Sequence, residues 1–324
     1  MFNYLIKIEY EGTNFVGWQS QKNGKSIQDA IDAAPVGAYI GIMPGIYEEP
    51  LEISKPIKLI GLGRPNEILI QVKDESALVL NRVGGLYQTA MSEAAEKEVR
   101  KKLQNYTTRA AEQGAGAGLF KWVRKQLGQE TIADESLFDS QTGSDEVSLV
   151  SLTIMSVTKE VGGNPTENPA ILVRSGHLRI EKCEIKCENG NGVVLEGENA
   201  EFTARESRFM NIKGTGLLLR TRAKATLSRT SIIKCKESGI DGQGYTSVRL
   251  MECEISNNQR TGVQISFKSQ LIAYQTVFSG NSFEGIWMNN QSHGTVKGCD
   301  MRGNARGPND ISPDCRVEMS GNKP

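Results

Sequence analysis

Apolar and polar positions recur with a fixed period through the second half of the chain. A triplet made of a small residue, any residue and an apolar residue appears as Cys183-Glu184-Ile185, Ser207-Arg208-Phe209, Thr230-Ser231-Ile232, Cys253-Glu254-Ile255, Thr276-Val277-Phe278 and Cys299-Asp300-Met301. The steps between triplets are 24, 23, 23, 23 and 23 residues. A second column keeps the same register: Gly192, Gly216, Gly239, Gly262 and Gly285, followed by Val193, Leu217, Ile240, Val263 and Ile286. A third column holds Asn258, Asn281 and Asn304. A period of this length fits leucine-rich repeats or a β-solenoid. The leucine-rich consensus is missing, and the short alternating apolar segments read as strands. The pattern therefore predicts an all-β solenoid, a parallel β-helix with one turn per ~23 residues, whose inward side chains stack about 4.8 Å apart.

Each column carries an expectation. The glycines should mark corners that need positive φ or a close approach of backbone. The asparagines should form a side-chain ladder that satisfies turn backbone groups. Lys182, Glu206, Arg229 and Glu252 share one outward column, and Glu184, Arg208, Ser231, Glu254 and Asp300 another. Charge signs mostly alternate between neighbouring rungs, which supports strand pairing. Neither column offers the clustered carboxylates that calcium binding or paired acid/base chemistry requires. Two residues after the glycines stand Val194, Leu218, Asp241, Gln264 and Trp287. If Val193 and Leu195 face inward, Val194, Leu218 and Trp287 face outward, and exposed large apolar side chains on a flat sheet mark an interaction surface. The competing reading is that helices elsewhere in the chain cover them.

The first half adds a cap and an insertion. Residues 26–63 place Ile27, Ala30, Ile31 and Ala34 at i, i+3, i+4 and i+7 of a short helix, followed by strands and by Gly45-Ile46-Tyr47-Glu48-Glu49. This stretch resembles the opening of right-handed parallel β-helices of the pectin-lyase-like, NosD-type class, with Gly45 to Glu49 its most specific piece. The resemblance covers roughly residues 26–85 and 147–320, and it implies that the helix covers the open end of the solenoid, hiding apolar stacks and strand edges. Between those parts the period breaks. Residues 86–113 place Met91, Ala95, Val99, Leu103 and Tyr106 on one face of an amphipathic helix, and Leu119, Val123 and Leu127 continue as a second. Residues 130–146 carry six acids and no base, as a solvated linker does. The segment 86–146 reads either as a helical hairpin on the solenoid's flank or as a partner-binding arm presenting Met91, Val99, Leu103 and Tyr106. The domain plan is thus a leader over 1–25, cap helix and first coils over 26–85, helical insertion and linker over 86–146, and further coils over 147–324.

The leader has its own likeness. Tyr4-Leu5-Ile6-Lys7-Ile8-Glu9-Tyr10-Glu11-Gly12-Thr13-Asn14-Phe15-Val16-Gly17-Trp18-Gln19, continuing to about residue 31, resembles the N-terminus of the tRNA pseudouridine synthase A family. The family's catalytic aspartate motif has no match here, since Arg229-Thr230-Ser231 lacks the acid. The leader is read as a strand that runs into the cap helix.

Composition removes several function classes. Lys plus Arg and Asp plus Glu each total 38, a formal net charge of zero, so neither a basic nucleic-acid binder nor an acidic tail is expected. The 34 glycines and 6% aromatics match a turn-rich chain with a core of small and aliphatic side chains, without a collagen period. No window is apolar enough for a membrane-spanning helix. The six cysteines follow residue 180 and the start lacks a secretory apolar run, which predicts reduced thiols and an intracellular protein.

Of the polygalacturonase-like elements only His293-Gly294 is present, with Arg179-Ile180-Glu181 a poor match; the catalytic elements of pectin-methylesterase-like enzymes are missing although Gly45-x-Tyr47-x-Glu49 is shared. His177 with Cys183 and Cys187 lacks a fourth ligand and a zinc spacing. Gly114 to Gly118 lack the Lys-Ser or Lys-Thr of a phosphate loop, and Arg220, Arg222, Lys224 and Arg229 read as a solvated edge. The sequence therefore predicts no catalytic, cofactor or metal residue. It predicts a β-helix binding or scaffold subunit with a protein partner, a carbohydrate-active lyase or hydrolase using His293 being the alternative and a pseudouridine-synthase relative a remote one.

Overall fold

Short strands that alternate inward and outward residues, each ended by a corner, wind a chain into a coil instead of a flat sheet. The computed structural model describes residues 26–81, 146–157 and 168–324. Over them the chain is a solenoid of about 9 turns, almost all strand, with one helix. Every strand pairing is parallel. Three faces form the wall. Sheet A runs from Ala38–Ile42 through Ile57–Gly61, Glu146–Val150 and the later half of Ile171–Glu181 to Arg316–Ser320. Sheet B runs from Gly45–Tyr47 to Glu254–Ser256 and sheet C from Leu51–Ile53 to Asn309–Ile311.

The register follows the columns read in the sequence. Val193 pairs with Leu217, Leu217 with Ile240, Ile240 with Val263 and Val263 with Ile286 in sheet C. Glu184, Arg208, Ser231 and Glu254 follow one another in sheet B, and single bridges carry the column on to Val277, Asp300 and Lys323. The residues after them, Ile185, Phe209, Ile232, Ile255, Phe278 and Met301, stack as one buried inner row. Cys183, Cys253 and Cys299 sit inside as small core residues, and burial pushes the Cys183 thiol up to about 12.

The glycine column obeys the second of its two expected reasons. Gly192, Gly216, Gly239, Gly262 and Gly285 do not have positive φ; a Cβ on Gly216 would lie 2.6 Å from the Gly239 carbonyl oxygen and 2.4 Å from Ile232 Cγ2. Adjacent coils touch there through bare backbone. The left-handed corner lies instead between sheets A and B, at Ser151, Lys182, Glu206, Arg229, Glu252 and Gln275, and then at Gly298 and Gly321. The column read as outward paired charges is thus also the corner. Its ion pairs, Arg229–Glu206 at 2.9 Å and Lys182–Glu206 at 4.0 Å, are solvent-facing and contribute little.

The asparagine ladder forms as expected. The Asn281 Oδ1 accepts from the Asn258 backbone N–H and Nδ2, each at 3.0 Å, and the Asn304 Oδ1 accepts likewise from Asn281. The freed Nδ2 hydrogens donate to the Ile232, Ile255 and Phe278 carbonyls.

Helix α1 (Ile27–Ala33) closes the N-terminal end. Ser26 and Asp29 form a capping box, and Ile27, Ala30 and Ile31 are buried against the first coil. The Glu49 carboxylate accepts from the Ile27 and Gln28 N–H groups, at 2.7 and 3.3 Å, and the Gln28 amide exchanges two hydrogen bonds with the backbone of Glu52. Tyr47 donates to the Met43 carbonyl. The Gly45 to Glu49 piece is therefore cap machinery. The helices expected over 86–128, the leader strand and Met91, Val99, Leu103 and Tyr106 lie outside the described residues. Glu146, placed at the end of the acidic linker from sequence, begins the strand Glu146–Val150.

Candidate functional site on sheet C

Because the pleat alternates, every second residue of sheet C faces out. Register lines up nine such residues across the coils: Glu52, Val79, Leu172, Val194, Leu218, Asp241, Gln264, Trp287 and Asp310. The sequence had already aligned the five from Val194 to Trp287. Their exposure differs from the expectation. Val194 and Leu218 are each only 7% exposed, while Glu52, Val79 and Leu172 before them and Asp241, Gln264, Trp287 and Asp310 after them are half-buried or exposed, so the row is closed in its middle and its polar accessible stretch is the later one. Val194 lies between Leu172 and Leu218 in the stack, so its two ladder neighbours are both leucines.

Asp241 begins the polar half. Its Oδ2 accepts from Gln243 Nε2 at 2.8 Å, whereas its Oδ1 is buried without a hydrogen-bond partner. Burial raises the carboxyl's pKa, opposed by the Gln243 hydrogen bond and by the charge of Arg220. The Asn289 Oδ1, which follows strand Ile286–Met288, is a second buried acceptor without a donor. A desolvated carboxylate costs stability only while it is charged. Asp241→Asn is therefore expected to stabilise the fold by about 1 kcal/mol at neutral pH, roughly 2 °C in Tm, with the gain vanishing in acid where Asp241 is protonated. The sign follows from the raised pKa, since the folded state holds this proton more tightly than the unfolded chain does. Thermal melts across pH check it.

Two aromatic side chains border this row at the corner from sheet C to sheet A. Tyr245 and Phe267 are 56% and 57% exposed and occupy left-handed backbone, φ 63° and 56°. The same corner is left-handed in the neighbouring coils, at Thr221 and Arg222, at Lys268 and at Asn290 and Gln291, so the coil's winding sets this conformation and holds both rings outward. Arg222 and Lys268 stand 5.7 and 5.8 Å from the Tyr245 ring centre. Sequence reading missed this pair because its columns were aligned on strands, and the signal was two aromatics in successive coils at corner positions.

Other sequence candidates are not brought together. His177 lies on the outer face of sheet A, with Nδ1 3.4 Å from Glu146 Oε2 and Nε2 2.8 Å from Thr203 Oγ1, while Cys183 and Cys187 are inside the wall. Burial lowers the His177 pKa, the Glu201 charge opposes this and Arg179 adds to it. Nearby, Glu181 is 1% exposed and faces Arg179 at 3.7 Å. His177, Arg179 and Glu181 alternate along one strand and Glu146 reaches His177 from the neighbouring coil, a contact that sequence reading did not make. Among the described residues, no three His, Cys, Asp or Glu side chains are grouped to hold a metal ion. No described helix is long and apolar enough to cross a membrane.

A coil repeat with unbroken parallel register on three faces defines the class: the chain is a right-handed parallel β-helix. Residues 191–323 match the family model described as right handed beta helix region. Among solved structures the chain is similar to tailspike protein 2 of Escherichia coli O157:H7 bacteriophage CAB120, at 12% identity and TM-score 0.46, covering 93% of this chain and 41% of that one. It is also similar to the A-module of the mannuronan C-5 epimerase AlgE4 of Azotobacter vinelandii, at 12% identity and TM-score 0.34, covering 92% and 91%. The curated relatives match only in short stretches. The tRNA pseudouridine synthase A of Pelagibacter ubique is 68% identical over 31 residues, 10% of this chain and 13% of that protein, and that of Beijerinckia indica 49% over 45 residues, 13% and 17%. The chain thus spans less than a fifth of the length of either synthase.

Proposed function

We propose that this chain is a binding protein that holds a polysaccharide strand along the later half of sheet C. The observation that carries the reading is that the exposed rings of Tyr245 and Phe267 border a row of planar side chains, Asp241, Gln264 and Trp287, on one outer face. Sugar rings present apolar faces to aromatic rings and hydroxyls to amide and carboxyl groups, so one ligand suits both kinds of side chain. Rungs about 4.8 Å apart give an extended chain repeated contacts. Binding is favoured over turnover by spacing. The next carboxylate in the row, Asp310, is three rungs from Asp241, about 14 Å, beyond the ~5–9.5 Å at which two carboxyls share glycosidic chemistry.

A glycan array followed by calorimetry tests this. The expected result is a bound polysaccharide whose affinity falls at least about tenfold in Trp287→Ala and in Tyr245→Ala. No glycan bound, or affinity untouched by both changes, overturns the reading. A scaffold subunit that holds a protein partner is the second reading, favoured by the apolar stretch Leu172, Val194 and Leu218 on the same face. It gains if a stoichiometric protein partner is lost in Leu218→Asp while glycans are ignored.

A further inference from the structure

Charged side chains are spread unevenly over the later coils. The four strands that carry the accessible row, Ile240–Gln243, Val263–Ser266, Ile286–Met288 and Asn309–Ile311, contain two acids, Asp241 and Asp310, and no base. Sheet A in the same coils carries Arg249, Lys297 and Arg316. On sheet C the two acids stand at the ends of the stretch, with Gln264 and Trp287 between them in register.

Bases do occur along both borders of this face, and each is already engaged. At the corner toward sheet A, Arg222 meets Glu198 at 3.2 Å and Lys268 stands 5.8 Å from the Tyr245 ring centre. At the corner from sheet B, Arg260 meets Glu237 at 2.8 Å and the Arg306 guanidinium lies 3.6 Å from the Phe283 ring centre. Arg220, beside Gln243 in register, directs its charge at Asp241. An acidic chain laid along the row would bring its anions to Asp241 and Asp310 and meet no base between them. Carboxylates only accept hydrogen bonds, so these two side chains call for donors, which hydroxyls supply and ionised acid groups do not. Like charges set against a ligand are a means of rejecting it.

We infer, resting on the polysaccharide reading above, that the ligand is an uncharged glycan and that Asp241 and Asp310 turn acidic glycans away. Calorimetry on the full chain tests this with neutral glucans and galactans set against polyuronates and sulfated glycans, each at low and high salt. Neutral chains are expected to bind at least about tenfold more tightly than acidic ones at low salt, with an affinity that salt changes less than about twofold. Asp310→Lys should shrink that preference at least about threefold by admitting acidic chains. Asp310 is exposed, so the fold is kept, which an unchanged melt verifies. An acidic glycan bound more tightly than any neutral one, with an affinity that falls as salt rises, overturns the inference and leaves the polysaccharide reading standing. A preference for neutral chains that neither Asp310→Lys nor Asp241→Asn alters overturns it as well. No glycan bound at all overturns that reading and this inference with it.

Discussion

Replacing Asn281 by leucine is expected to cost about 3–5 kcal/mol and to loosen the C-terminal coils before the rest. Asn281 is 1% exposed and works in both directions along the ladder. Its Oδ1 takes two hydrogens from Asn258, and its Nδ2 supplies the Ile255 carbonyl and the Asn304 Oδ1. Leucine is similar in size but leaves the Asn258 N–H, the Asn258 amide and the Ile255 carbonyl short of partners where water does not reach. Each stranded group costs about 1–3 kcal/mol, less when neighbours relax together. Coils contact only adjacent coils, so the loss stays local. Hydrogen exchange checks it: protection should fall by two or more orders of magnitude over residues 254–310 and far less over residues 38–61. Uniform loss, or none, would contradict a ladder that acts coil by coil.

The Asn281 prediction rests on what was legible in the sequence. A column of identical polar residues at a fixed step can only stack, and stacking amides bond each other. The same holds for the glycine and small-residue columns, because a solenoid converts spacing directly into neighbourhood. Corner conformation was less legible. Glycine suggested positive φ, yet Gly216 is needed for the close Gly239 carbonyl, and the left-handed turn falls on Lys182, Glu206 and Arg229. The candidate site was half legible. Asp241, Gln264 and Trp287 were aligned, but the burial of Val194 and Leu218 depends on the stacked neighbours and could not be read from alternation alone. Tyr245 and Phe267 escaped because corners carry no period-2 signal. The cluster of His177, Glu146, Arg179 and Glu181 needs the register of Glu146–Val150 against His177–Glu181 in the next coil, which the irregular spacing before residue 183 did not reveal.

The other large effect is expected in the core, where Phe209→Ala should cost about 3–5 kcal/mol, roughly 10 °C in Tm. Phe209 is fully buried, paired in register with Ile185 on one side and Ile232 on the other. Its ring meets Phe202, which points in from sheet A, edge to face at 6.3 Å and 88°. Truncation opens a cavity that the stacked neighbours Ile185 and Ile232, held in register by their own strands, cannot fill. The two rings come from successive strands of one coil and lock sheet A to sheet B, so their effects should not add. A double-mutant cycle with Phe202→Ala is expected to return about 0.5–1.5 kcal/mol of coupling by chemical denaturation. Additive costs would mean that the rings merely fill space independently. Because Phe209 faces the interior from sheet B whereas Trp287 stands on the outside of sheet C and Tyr245 is exposed at its corner, Phe209→Ala should leave glycan affinity unchanged below its melting temperature, which separates the fold's stability from its proposed surface.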